Sequence, residues 1–330
     1  MVKGILKFQN IVSASCGLAL FAASLSAFSQ QYPSKPVRLV VGFAPGGTTD
    51  TTGRVVAQAL TERLRQQVIV DNRPGAASNI ATEVVVRAVP DGYTLLVMTV
   101  TQTVNASLYK NLAYDIRKDL APISQLVTAP HVLVVHPSLP AKNAQQLIGL
   151  AKSSPGQLNF ANAGSGSTAH LAAVLFGTSA NIDVVHIPYK GTSPAMTELL
   201  AGQTQVMFSD MIVGRPHVIA GRLRALATSM PAGKRSALMP ELPTISESGL
   251  SGFESGTWVG VLAPAQTPKP IIDRLNAEMA GAFNVSEIKK KMNELGMEVV
   301  ASSPESFRSN IRKDVEKWAG IVKHTGLSVN

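Results

Sequence analysis

The chain has 330 residues, 45% of them hydrophobic and 5% aromatic, with one cysteine and a formal charge of +9. That length allows two domains, each able to bury a sizeable core without a disulfide or metal staple. One cysteine excludes a disulfide framework and a Cys-rich metal site, and the composition excludes collagen-like, coiled-coil and disordered chains.

Residues 1–29 read as a secretory signal. Lys3 and Lys7 give the basic start, an apolar run extends from Ile11 to Leu25, and Ala27-Phe28-Ser29 fits a small-x-small cleavage site. A membrane anchor is the competing reading, but the run is shorter than the ~20 residues a spanning helix needs. Cys16 precedes most of the apolar run, which argues against lipidation. Cleavage after Ser29 would remove the cysteine, leaving a chain expected in the periplasm or outside the cell.

The following residues spell the same unit twice. Val37–Val41 is a β-branched strand that ends in Gly42-Phe43-Ala44-Pro45-Gly46-Gly47. A helix pattern then runs from Asp50 to about Arg65, with Val55, Val56, Ala59, Leu60 and Leu64 along one face. Strand Val68–Val70, a loop at Asn72-Arg73-Pro74-Gly75, a helix through Ile80, Val84, Val85 and Ala88, and strand Tyr93–Met98 complete the unit. The second copy has strand Leu158–Ala161, the turn Ala163-Gly164-Ser165-Gly166-Ser167-Thr168, and a helix from His170 to Phe176. Strand Ile182–Ile187, the loop Pro188-Tyr189-Lys190-Gly191, helix Pro194–Ala201 and strand Thr204–Ser209 follow. Between the units lies a long segment, Tyr114–Pro130, after which Leu133-Val134-Val135 opens the second lobe. Strand Thr257–Leu262 returns to the first lobe, and helices from Thr267, Ser286–Leu295 and Pro304–His324 close the chain around strand Glu298–Val300.

Alternating strands and helices predict an α/β fold of two lobes, residues 30–130 with 253–330 and residues 131–252. Each lobe is expected to be a mixed sheet flanked by helices. Ligands of open α/β sheets sit beyond the carboxyl ends of the strands, where both glycine turns lie. A helix start offers amides without intrahelical partners and the positive end of the helix dipole. Glycine lets a ligand approach that backbone closely, so each turn suits phosphate, sulfate or carboxylate. Charge-assisted hydrogen bonds contribute roughly 1.5–3 kcal/mol each. Four give about 6–12 kcal/mol before binding costs, against about 8 for micromolar affinity. Neither turn is a nucleotide site, because no Gly-Lys-Ser/Thr follows Gly47 and no third glycine follows Gly166.

Several ordered motifs resemble the Bug family, the periplasmic solute receptors of tripartite tricarboxylate transporters. These are Tyr32-Pro33-Ser34-Lys35-Pro36-Val37, Phe43–Asp50, Asn72–Ala76, Pro90–Leu96, Ala163–Leu171 and Pro188–Gly191. The resemblance implies a type II periplasmic-binding-protein clamshell that holds a carboxylate between its lobes and delivers its ligand to a membrane permease; separately, no cofactor or metal and a monomeric state are expected. By the same resemblance Phe43, Ala44, Gly46, Gly47, Thr48 and Asp50 line one side of the cleft, and Gly164, Ser165, Ser167, Thr168 and His170 the other. Gln102 stands where the family often has histidine, and Phe208-Ser209-Asp210 where Phe-Asp-Asn is usual. Arg215 replaces a commonly apolar position. Gln102, Ser209 and Asp210 are therefore expected to help set specificity, with Thr101 beside them as a further ligand-binding residue.

Other readings compete with these. Asp50 is a preferred type of helix cap. Ser165 or Ser167 with His170 suggests an exported hydrolase or amidase, although no Gly-x-Ser-x-Gly elbow is present. A receptor serving signalling rather than uptake also fits. His131 and His136 alternate across a strand and form no metal-ligand pattern. Lys289-Lys290-Lys291 reads as a solvated helix face, and the remaining basic residues are scattered, which argues against a nucleic-acid partner. A diffuse positive field assists the capture of anions.

Overall fold

The computed structural model describes residues 32–325, and the expected signal at 1–29 lies outside them. Among the described residues no helix is long and apolar enough to cross a membrane.

The first glycine turn is held by a parallel trio of strands. β1 (Val37–Val41) lies between β2 (Val68–Asn72) and β3 (Thr94–Thr99), joined by α1 (Thr48–Leu64) and α2 (Asn79–Val86). β1 alternates between two cores. Leu39 and Val41 pack with Val55 and Leu60 of α1, while Val40 faces Leu96, Met98 and Val104. Helices thus cover both faces of the sheet, as a parallel sheet requires. Leu60 is fully buried, and its truncation to alanine would cost about 2–5 kcal/mol.

The second turn has the same frame. β5 (Asn159–Asn162) lies between β6 (Val185–Pro188) and β7 (Val206–Asp210), with α5 (Thr168–Ala180) and α6 (Thr192–Leu200) as connections. Phe160 and Phe208 pack against Leu147 and Phe176 on one face. Ala161 and Met207 meet Met196 and Leu199 on the other.

Each sheet is completed by a strand from across the chain. β9 (Gly256–Pro264) pairs antiparallel with β3. β4 is one continuous strand, Leu120–Val135. Its residues 120–130 pair with β9, and its residues 131–135 pair with β7 on one side and β8 (Arg224–Thr228) on the other. The order β2-β1-β3-β9-β4 in one sheet therefore matches β6-β5-β7-β4-β8 in the other. Both sheets are mixed.

The sequence splits this crossing strand at Pro130, because prolines are uncommon inside strands; Pro122 and Pro130 both lie within it. Two helices carry no clear sequence signal: α3 (Val100–Leu108), which follows β3 directly, and α7 (Met211–Ile219), which contains Pro216. α4 (Ala144–Ser153) precedes β5. After β9, α8 (Lys269–Phe283), α9 (Ser286–Glu294), the short β10 (Glu298–Val299) and α10 (Pro304–Thr325) return to the first sheet.

Candidate functional site

The carboxyl ends of both sheets point into one cleft, and the starts of α1, α3, α5, α6 and α7 converge there. Thr48, Thr49 and Asp50 come from α1, Thr99 and Thr101 from α3, Ser167, Thr168 and Ala169 from α5, Thr192 from α6 and Asp210 from the cap of α7. Phe43, Ala44, Gly47, Ala163 and Thr257 complete the wall. Each helix presents its positive end and first-turn amides that have no intrahelical partner. The cavity volume is about 30 Å³, room for a water or two.

The two lobes touch directly around it. The Ala44 amide donates to the Lys190 carbonyl at 3.2 Å, and Ser193 Oγ donates to the Pro45 carbonyl at 3.0 Å. The Thr48 amide donates to Asp210 Oδ2 at 3.2 Å, and Thr192 Oγ1 donates to the same oxygen at 3.0 Å. Asp210 stands at the cap position of α7 but makes no side-chain bond to that helix. Its carboxylate crosses to the other lobe instead.

The turns share one local device. Asp50 and His170 both occupy the third helical position, after the caps Gly47 and Ser167. Each side chain reaches back four residues to a glycine amide. Gly46 N–H donates to Asp50 Oδ2 at 3.0 Å, and Gly166 N–H donates to His170 Nδ1 at 3.0 Å. Asp50 also accepts from Arg54 Nε at 2.9 Å and Asn72 Nδ2 at 2.9 Å. Burial works to raise the pKa of Asp50, but the bonds from Arg54, Asn72 and Gly46 outweigh it and hold the carboxyl below its usual range. Burial, reinforced by the His186 ring, lowers His170 to about 4. The first turn thus carries an anion at this position and the second a neutral ring.

Of the expected residues, Phe43, Ala44, Gly47, Thr48, Asp50, Thr101, Ser167, Thr168 and Asp210 lie on the cavity wall. Gly164 and Ser165 instead line an adjoining cavity of about 300 Å³, together with Phe43, Ser78, Tyr109 and Lys190. Gly46 lies against Ser193 at the lobe contact. Gln102, His170 and Ser209 sit behind the wall. Gln102 donates to Ser78 Oγ at 2.9 Å and caps α3 by accepting from the Thr99 amide at 3.1 Å. Ser78 ends a left-handed run, Ala76 to Ser78, with φ of 45°, 48° and 70°, so Gln102 props a strained segment of the adjoining cavity. Ser209 Oγ is turned to the Asp210 carbonyl at 3.0 Å. Ser167 Oγ accepts from the backbone amide of His170 at 3.2 Å rather than meeting its ring, so this pair works as a helix cap.

Thr49, Ala163 and Ala169, which lie within the two expected binding loops, also line the wall, and Thr99, Thr192 and Thr257 join it from outside those loops. A signal existed for Thr192, since Gly191-Thr192 repeats the Gly47-Thr48 helix start. The sequence also offers no role for His131. It is fully buried where β4 changes sheets, and its ring lies 3.3 Å from Thr168 Oγ1 and 3.3 Å from Ser255 Oγ. Burial lowers its pKa, against a smaller upward pull from Asp210.

Residues 52–327 match the family described as tripartite tricarboxylate transporter family receptor, TctC. The chain belongs to this family. Protein BugT of Bordetella pertussis is 35% identical over 322 residues, 97% of each chain. Among solved structures, the periplasmic binding protein BugD superposes with a TM-score of 0.86 at 34% identity, covering 90% of this chain and 99% of that one. A Rhodopseudomonas palustris protein with adipate gives 0.86 at 32% identity, with coverages of 90% and 99%. MatC from the same organism, with bound malate, gives 0.84 at 30% identity, with coverages of 88% and 100%. The fold is that of a two-lobed periplasmic binding protein, family membership implies a periplasmic location and a transporter partner, and these relatives are binding proteins. This TctC receptor shares its lobe frame with the three solved structures.

Proposed function

We propose that this receptor captures a small organic carboxylate between its lobes and delivers it to the permease of a tripartite tricarboxylate transporter. The observation that carries this reading is the convergence of the helix starts of α1, α3, α5, α6 and α7 on one interlobe cavity. Such an arrangement favours an anion over a neutral solute. Adipate and malate in the neighbouring structures are carboxylates of the expected size. A cavity of about 30 Å³ is too small for either, so the lobes part for entry and the ligand re-forms the cleft around itself. Change of strand pairing at His131 and the return at Gly256 support lobe boundaries near 130 and 253. We assign the ligand's polar contacts to Thr48, Thr101, Ser167, Thr168 and Asp210.

Isothermal titration against mono-, di- and tricarboxylates and amino acids tests the reading. Saturable binding of at least one acid, accompanied by a raised Tm, is the expected result. A folded sample that binds none of them contradicts it.

A further inference from the structure

The duplicated turns have opposite electrostatic completion, and this bears on which carboxylates the site accepts. At the α1 turn the Gly46 amide is taken by the Asp50 carboxylate and the Thr48 amide by the Asp210 carboxylate. At the α5 turn the corresponding groups are neutral: Gly164 N–H donates to Asn162 Oδ1, Gly166 N–H to His170 Nδ1, and His170 N–H to Ser167 Oγ. The positive end of α1 is therefore already met by protein anions, whereas that of α5 is not. Asp50 is balanced by Arg54, whose Nε lies 2.9 Å away. Asp210 has no ion pair among the described residues, and its carboxylate is held by the Thr48 amide and the Thr192 hydroxyl. The charged residues on the described cavity wall are Asp50 and Asp210. Burial lowers the pKa of nearby His131, against a smaller upward pull from Asp210.

A ligand carboxylate placed on the α1 turn would meet Asp210 at close range, and like charges brought together in a poorly hydrated cleft are disfavoured. A ligand carboxylate on the α5 turn is met first by the amides of Thr168 and Ala169 and the hydroxyls of Ser167 and Thr168, and no protein carboxylate is bonded to that turn's amides. We propose that Asp210 sets the charge pattern of the ligand: one carboxylate on the α5 turn, and a hydrogen-bond donor, best an ammonium group, facing Asp210. The receptor then prefers amino-carboxylates to dicarboxylates of matched length. This rests on the carboxylate-receptor reading and narrows it. Asp210 is a specificity-determining residue because its carboxylate is on the cavity wall and lacks a cation that the ligand can supply.

The test is a matched panel titrated calorimetrically into the full mature protein and into Asp210→Asn. Succinate is compared with 3-aminopropanoate and propanoate, glutarate with 4-aminobutanoate and butanoate, and adipate with 5-aminopentanoate and pentanoate. At whichever length binds best, the amino acid is expected to bind wild type at least about tenfold more tightly than the dicarboxylate. In Asp210→Asn that ratio should fall to within about threefold or invert, since the amide keeps an acceptor oxygen but not the charge. A wild-type preference for the dicarboxylate overturns the proposal without any variant, so the test survives an unstable Asp210→Asn. An unchanged ratio in a folded Asp210→Asn also overturns it. Silence of every acid with both proteins overturns the receptor reading beneath it, a distinct outcome from binding with the wrong preference.

Discussion

The turn before α1 and the turn before α5 are built alike and finished differently. Both follow the first strand of a parallel trio, both bend through a left-handed glycine just before the cap (Gly46 at φ 97°, Gly166 at φ 87°), and both lead into a helix whose third residue reaches back to that glycine's amide. At that third position one lobe has Asp50 and the other His170. The duplicated backbone alone makes two equal anion sites. Side chains break the equality: Asp50 and Asp210 occupy the first, while the second keeps its field for the ligand. Equivalent geometry therefore does not imply equivalent function, because an amide already donating to a protein carboxylate has less to offer another.

Acid separates the two turns most strongly. His170 sits at about 4 in the folded protein, below its unfolded value of about 6.5. Between those values the unfolded chain binds the proton and the native state does not, so stability falls as pH is lowered. Its contribution is complete above pH 6.5 and lost as pH falls through about 4, a change of about 3 kcal/mol. Burial lowers His131 in the same sense. Asp50 is held below the usual carboxylate range, so the first turn loses stability only at still lower pH. Urea unfolding across pH 7 to 3 should show the upper window, and His170→Asn should shrink it. An unchanged upper window in that variant would contradict the assignment.

Charge can also be transplanted. His170→Asp gives the α5 turn the carboxylate that α1 already has, and ligand-carboxylate affinity should fall by about a hundredfold, near 2.7 kcal/mol. His170→Asn, whose side-chain oxygen can still accept from Gly166, should stay within about threefold of wild type. Equal losses in both variants would mean that packing, not charge, matters there. The smallest effect concerns the cap: Ser167→Ala removes the bond to the His170 amide and should cost about 1 kcal/mol in urea unfolding. Gly47, the corresponding cap of α1, makes no side-chain bond, so the first turn has no such contribution to delete.

The α/β alternation was legible because β-branched runs and glycine turns are local signals. Val55, Val56, Ala59, Leu60 and Leu64 already spelled the buried face of α1. α3 was not legible, since Thr99–Thr103 is rich in β-branched residues that favour strand and only the capping box of Thr99 and Gln102 makes it a helix start. Pro216 concealed α7 in the same way. Both glycine turns could be found from sequence, as could the family motifs around them. What neither periodicity nor motif could show is the bond from Thr48 to Asp210, 162 residues away in the chain. Gln102 and Ser209 were expected near the ligand and lie on the elements that form the cleft, yet their side chains turn inward to cap and brace. A side chain's direction at a strand end depends on the partners it finds, which a single sequence does not display.

The central claim is that the ligand's carboxylate rests on the α5 turn. Amide chemical shifts followed by nuclear magnetic resonance test it directly, using whichever acid of the panel binds most tightly. The largest downfield shifts are expected at the amides of Thr168 and Ala169, with smaller ones at Thr48 and Thr49. The reverse pattern, with Thr48 and Thr49 leading and the α5 turn unmoved, would contradict the account.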